Sequence, residues 1–364
     1  EELLTHSERM TADGMTYGRK LDAIESEMRA IIAFLAERDY TTEAAEAAMA
    51  LPVIAAAPAE SRAAFSHALR EITENIVPRL QKTEQEITGT LRALTGRYIE
   101  PSAAGAPTTN GTDVLPTGRN FYGLDPRCMP TPAAWEYGRQ LGDALIQQYI
   151  SDEGRYPEAV GIVFWAGSNM RSHGQCIAEL FYLMGVRPVW RRPSQRVAGL
   201  EIIPLAELKR PRIDVTARIS GLFRDAVPNA VHWVDEAVRM VRDLEESDEE
   251  NYVRKHVLAD ATWLEEQGEA RESAWARASV RIFGDPPGAY GAGIGDLLES
   301  KAWKTLDDLA AVYTRFSGTA YGGDGLARGY DPEVFQRRMA GLDVTVKNED
   351  TRETHMFSSD DYNA

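Results

Sequence analysis

The sequence predicts an α/β protein: a helical amino-terminal region, then an α/β domain with a mostly parallel sheet, then a helical carboxy-terminal part. Three observations carry this prediction. Apolar residues recur at helical spacing through the first hundred positions. The run Ala159-Val-Gly-Ile-Val-Phe-Trp165 opens a strand–helix–strand pattern. Arg212 to Ser220 closes that pattern with another buried strand. Strands that are apolar on both faces are the mark of a parallel sheet covered by helices.

Four regions follow from composition: a helical bundle over 1–100, a linker with an Arg-Asn-aromatic loop over 101–131, a βαβ domain over 132–225, and a helical region with a candidate returning strand over 226–364. In the first region Leu21, Ile24, Met28, Ile31, Ile32 and Leu35 form one helical face. A second stripe runs through Leu69, Ile72, Ile76, Leu80, Ile87, Leu91 and Leu94, and Pro78 inside it is expected to kink or split the helix. Residues 101–112 read as a linker by composition, and prolines and glycines over 115–127 exclude regular structure. A helix is expected from about Pro132 to Ile150, with the proline in its first turn. The strand at Ala159 leads into a helix capped by Ser168 or Asn169 and stopped by Gly185. Val186–Trp190 and Leu200–Ile203 read as two further strands, the first at an edge because of Pro188. Beyond Val227 the pattern is helical as far as Phe283, and again near 297–300, 306–314 and 332–340, with Asp343–Val346 as a last strand.

A formal charge of −16 argues against nucleic acid or an anionic membrane as the main partner. No apolar run approaches the roughly 20 residues that a membrane span needs. Cys128 and Cys176 are too few for a disulfide scaffold, so a reducing, cytoplasmic setting is expected. The chain begins at Glu1 with no signal-peptide character, ends with no sign of a natural stop, and is read as a fragment of a longer polypeptide. The glycine-rich stretch 284–295 has neither phosphate-loop nor dinucleotide spacing, so packing or covering a site are its two readings. His173 and His256 lack the paired spacing of a helical zinc site. Arg218 falls late in a strand, where a charge needs a partner; a salt bridge and an anionic ligand are both open.

The loop Leu115-Pro-Thr-Gly-Arg-Asn-Phe-Tyr-Gly-Leu-Asp-Pro-Arg127 resembles a signature of the cobaltochelatase large subunit (CobN type) and magnesium chelatase H subunit family. The resemblance continues through Val163-Phe-Trp-Ala-Gly-Ser-Asn-Met-Arg171, Arg218-Ile-Ser-Gly-Leu-Phe-Arg-Asp225, Glu250-Asn-Tyr-Val-Arg-Lys-His256 and Ser358-Ser-Asp-Asp-Tyr362. It implies ATP-dependent insertion of a divalent metal into a tetrapyrrole, with ATP hydrolysed by separate AAA+ and integrin-like-domain subunits. Cobalt is then a substrate, no tightly bound cofactor is expected, and the metal ligands are unknown. Arg119-Asn-Phe-Tyr-Gly123 and Arg218 favour cobalt and a corrin over magnesium and protoporphyrin. His173-Gly-Gln175 departs from the family pattern, so no role passes to those residues.

The expected substrate residues are Arg119, Asn120, Tyr122, Trp165, Asn169, Arg171, Arg218 and Arg224, with Asp225 and His256 as candidates for proton or metal handling. Arginines would pair with peripheral carboxylates and aromatic faces would stack on the ring. The fragment alone is expected to be inactive. The alternatives are a magnesium chelatase H-type fragment, or a docking module for the AAA+ motor with the tetrapyrrole bound elsewhere.

Overall fold

The computed structural model describes residues 10, 14–102, 112–121, 125–192, 194–291, 293–323 and 326–348. The chain divides into two compact units, Glu1–Tyr122 and Gly123–Ala364. No described helix is long and apolar enough to cross a membrane.

The first unit is helical. Helix α1 (Tyr17–Ala36) is capped by the Thr16 side chain, and α2 (Thr42–Ala48) by Thr41. After the short α3 (Pro52–Ala55) comes α4 (Ala59–Arg70). Ile31, Leu35, Ala44, Ala48, Ile54 and Leu69 close the core of this unit. The second stripe splits at Pro78 as expected: a π-turn spans Glu71–Ile76, then α5 (Val77–Leu80) and α6 (Gln85–Leu94) follow. Proline cannot donate to the helical ladder, and a wider turn absorbs the lost bond. The far end of the stripe is not core in this unit: Leu91 is 58% and Leu94 79% exposed. Two residue pairs, β1 (Pro101–Ser102) and β2 (Asn120–Phe121), pair in parallel.

The second unit is organised by a six-stranded sheet. Its strands are β3 (Ala159–Phe164), β6 (Asp214–Ile219), β7 (Ile282–Gly284), β8 (Thr319–Gly322), β9 (Leu326–Tyr330) and β10 (Val344–Lys347), in the order β10-β3-β6-β7-β8-β9. The first four in that order are parallel, and β8 and β9 continue antiparallel. Val160, Ile162, Phe164, Val215, Ala217 and Ile219 are fully buried, which explains the unbroken apolar runs.

Helix α7 (Pro132–Glu153) is capped by Thr131 and ends on left-handed Gly154. It lies close against α9 (Gln175–Met184) because Gly138 and Gly142 leave room. A Cβ at Gly138 would sit 2.5 Å from Ala178 Cβ, and one at Gly142 2.8 Å from the Tyr182 ring. Asp343 ties β10 to β3 by accepting from Glu158 N (2.7 Å), Ala159 N (3.2 Å), Tyr149 Oη (3.1 Å) and Arg155 Nη2 (2.7 Å).

Three expectations need correction. Neither Ser168 nor Asn169 caps a long helix: the segment breaks into α8 (Ala166–Arg171) and α9, with His173 and Gly174 at positive φ between them. The strands β4 (Val186–Arg191) and β5 (Arg196–Ile202) form a separate antiparallel hairpin instead of joining the main sheet. The region after 226 is less purely helical than expected, since β7, β8 and β9 lie in it. The remaining helices are α10 (Leu205–Leu208), α11 (Gly221–Ala226), α12 (Pro228–Arg242), α13 (Tyr252–Glu266), α14 (Arg271–Ala278), α15 (Gly295–Ser300), α16 (Leu306–Ser317) and α17 (Pro332–Ala340).

Candidate functional site at the carboxyl ends of the strands

Parallel sheets present loops at the carboxyl ends of their strands, where ligands of such folds bind. Here that end gathers Trp165 after β3, Arg218 near the end of β6, Ser220 and Gly221 beyond it, and Asp285 after β7. Register places Val163 opposite Arg218, which brings Trp165 beside the guanidinium. The Arg218 Cζ lies 5.7 Å from the Trp165 ring centre and 5.8 Å from that of Tyr313.

Arg218 is 2% exposed. Its Nη2 donates to Asp285 Oδ1 (2.9 Å), Gly291 O (2.9 Å) and Ser317 Oγ (3.3 Å). Asp285 also accepts from Gly221 N at 2.8 Å. Burial pushes the Asp285 carboxyl up, against the pull of Arg218. The salt-bridge reading of Arg218 is therefore realised. Yet its Nε and Nη1 have no hydrogen-bond partner, and neither do Trp165 Nε1, Ser168 Oγ and Asn169 Oδ1, all of them buried. Buried polar atoms are normally satisfied, so five such atoms on four neighbouring side chains make this end the candidate for a polar ligand or ordered water.

Arg224 is 8% exposed. It grips Asp225 with two bonds, Nε to Oδ1 at 2.6 Å and Nη2 to Oδ2 at 2.8 Å, and donates through Nη1 to Pro286 O at 2.9 Å. Tyr290 Oη donates to Asp225 Oδ2 at 2.8 Å. The Arg224 hydrogen bonds hold the exposed Asp225 carboxyl below the usual carboxylate range. A Cβ on Gly221 would strike Ala289 O, so the 285–291 loop lies directly over the start of α11. Three contacts latch that loop: Arg218 to Gly291, Arg224 to Pro286, and Tyr290 to Asp225. The described part of the glycine stretch thus packs against this end of the sheet.

The structure thus brings together Trp165, Asn169, Arg218, Arg224 and Asp225. Arg171 is exposed at the end of α8, with its guanidinium carbon 3.6 Å from the Cβ position of Gly167. Arg218 and Arg224, expected to meet a ligand's carboxylates, are engaged with Asp285 and Asp225, with Arg218 Nε and Nη1 left over. Arg119 and Asn120 belong to the first unit, where Arg119 Nε is buried without a partner. Tyr122 and the 358–362 motif lie outside the described residues.

His256 is not brought to Asp225. It sits at the amino end of β6, with Nδ1 2.9 Å from Asp214 Oδ2 and Nε2 3.4 Å from Glu158 Oε2. Six residues of strand separate the two ends, roughly 20 Å at about 3.3 Å per residue. His256, Asp260, Trp263 and Arg337 line a hollow of about 710 Å³ there. Among the described residues no cluster of three His, Cys, Asp or Glu side chains is arranged to hold a metal ion. Sequence reasoning missed Ser168, Asp285, Tyr313 and Ser317; no spacing signal links residues up to 99 positions from Arg218.

Residues 2–364 match the family described as CobN/Magnesium Chelatase. An aerobic cobaltochelatase subunit CobN of Sinorhizobium sp. is 43% identical over 295 residues, which cover 81% of this chain and 23% of that protein. The chloroplastic magnesium-chelatase subunit ChlH of Oryza sativa subsp. indica is 34% identical over 286 residues, 76% of this chain and 20% of that protein. The catalytic subunit of cobaltochelatase from Mycobacterium tuberculosis superposes with a TM-score of 0.80 at 42% identity, covering 94% of this chain and 28% of that one. The chain therefore spans about a quarter of the length of the relatives it matches, and it belongs to the CobN/magnesium chelatase family.

Proposed function

We propose that this chain is part of the large, tetrapyrrole-holding subunit of an ATP-dependent chelatase that inserts cobalt into a corrin precursor. The carrying observation is its higher identity to CobN subunits, 43% and 42%, than to the magnesium subunit of rice, 34%. Magnesium with protoporphyrin is the alternative substrate pair for the same site. ATP hydrolysis falls to AAA+ and integrin-like-domain partner subunits, in keeping with a glycine stretch that lacks phosphate-loop spacing.

Metal insertion requires that the macrocycle be held, that its ring N–H protons leave, and that the metal shed water. The carboxyl-end site supplies an aromatic face in Trp165 and unfilled donors in Trp165 and Arg218. Asp225 stays ionised, which makes it a weak proton acceptor and a better transient partner for a divalent cation. His256, at the opposite end of the strand, takes no part at this site.

A second reading has its own observation. Ile87, Leu91 and Leu94 are exposed along α6, a face that a docking module for the AAA+ motor would present. The parent protein, assayed with its partner subunits and ATP, separates these readings. Cobalt insertion that W165F lowers about tenfold or more, with motor binding intact, supports the proposal. Magnesium insertion in place of cobalt rejects the metal assignment. Full cobalt insertion in W165F, with motor binding lost in L91D, supports the docking role instead.

A further inference from the structure

Arg218 and Arg224 each commit part of their donors to Asp285 and Asp225, and a second group of arginines lies nearer the surface. Arg127, Arg191, Arg196, Asn229, His232 and Trp233 line a hollow of about 490 Å³ between the 125–130 segment, the β4–β5 hairpin and the start of α12. Asp125 lies against two of these arginines, accepting from Arg127 Nε at 2.8 Å and Nη2 at 3.1 Å, and from Arg196 Nε at 2.8 Å. Those guanidiniums hold Asp125 well below the usual carboxylate range, so it remains charged. One carboxylate against three guanidiniums leaves a local surplus of positive charge on a chain whose formal charge is −16. Arg191 is exposed and has no ion-pair partner among the described residues.

The walls are pinned to one another. Trp190 Nε1 donates to Pro130 O at 2.8 Å, Cys128 Sγ to Ser194 O at 3.4 Å, and Asn229 Nδ2 to Pro126 O at 2.8 Å. His232 is held by Gly323 O, 2.9 Å from its Nδ1, and packs edge-on against Trp233. A fixed fork of guanidinium donors beside a flat aromatic wall suits a carboxylate carried on a ring.

Resting on the tetrapyrrole reading above, we propose that this hollow is an anion subsite that takes a peripheral carboxylate of the macrocycle. The test titrates the chain, by visible absorbance, with dicyanocobyrinic acid, with its heptamethyl ester, and with inorganic phosphate as competitor. The expected result is binding of the acid, much weaker binding of the ester, and a loss of about tenfold or more in affinity for the acid in R191Q and R191Q/R196Q. Exposed Arg191 makes R191Q a variant that keeps the fold. Equal affinity for acid and ester, or an unchanged affinity in both variants, overturns the subsite and leaves the family reading standing. Phosphate binding that R191Q removes, with no affinity for either corrin, overturns the macrocycle assignment itself.

Discussion

The central strand β6 carries a charged side chain near each end, and the two ends treat their charge in opposite ways. At the amino end Asp214 is fully buried and receives Arg281 Nε at 2.7 Å, Arg338 Nη2, and His256 at 2.9 Å. Asp214 is thereby fully engaged, although Arg281 Nη2 stays buried without a partner. At the carboxyl end Arg218 is just as buried, but only one of its three nitrogens is used. Full satisfaction is what stability selects; a buried donor left open costs about 1–3 kcal/mol and persists where a ligand completes it. The carboxyl end thus keeps more open donors than the amino end, two on Arg218 against one on Arg281.

The strongest way to break the comparison is to remove Asp214. D214A leaves Arg281 and Arg338 buried without their counter-charge, and loss of one partner of a buried ion pair costs about 3–5 kcal/mol. Urea denaturation of the second unit should register that loss. Stability within about 1 kcal/mol of wild type would end the distinction, because the network would then carry no more weight than a surface pair.

Acid titration sharpens the same point. The Arg281 and Arg338 guanidiniums hold Asp214 far below its ordinary range, outweighing its burial. A depressed folded-state pKa contributes stability that is complete above the unfolded value, near 3.9, and is lost as pH falls through the folded one. Wild type should therefore weaken progressively below about pH 4, and D214N should be less stable at neutral pH with a shallower acid slope. Equal slopes would mean that other carboxylates drive the acid transition.

Much of this fold was legible beforehand, and the illegible part has a common cause. Strands β3 and β6 announced themselves through apolar runs, and α7 through Pro132 in its first turn. Strand β7 has three residues, too few for any period to show, and was absorbed into the helix before it. In β8, Thr319-Ala-Tyr-Gly322 has no apolar alternation; its place follows from pairing with β7. Hairpin β4–β5 looked like sheet strands because composition does not say which sheet a strand joins. For the site, Arg218 stood out as a charge late in a strand, while Trp165 and Asn169 entered through the family motif they lie in. The partner of Arg218 did not stand out, because Asp285 lies 67 residues away and joins it only through the parallel pairing of β6 and β7.

A milder substitution probes the carboxyl end. R218K keeps the positive charge beside Asp285 but replaces a planar fork by one ammonium group, so some of the contacts to Gly291, Ser317 and Asp285 must go. A stability loss of about 1–2 kcal/mol is expected, alongside a larger fractional loss of tetrapyrrole affinity. Loss of stability with affinity unchanged would make Arg218 a strut like Asp214.

The smallest expected change, that of W165F, is read against a second tryptophan in the same unit. Trp190 Nε1 donates to Pro130 O at 2.8 Å, whereas Trp165 Nε1 is buried with no acceptor. Replacing each by phenylalanine removes similar ring volume, so the difference between the two variants isolates the indole N–H. W190F strands a carbonyl and should cost about 1–2 kcal/mol beyond the loss of ring contacts. W165F strands nothing, and should lie within about 0.5 kcal/mol of its packing cost alone while weakening ligand binding. Equal destabilisation by both would show that Trp165 already has a partner in the free protein, an ordered water for instance, and the carboxyl end would lose its claim to be waiting for a ligand.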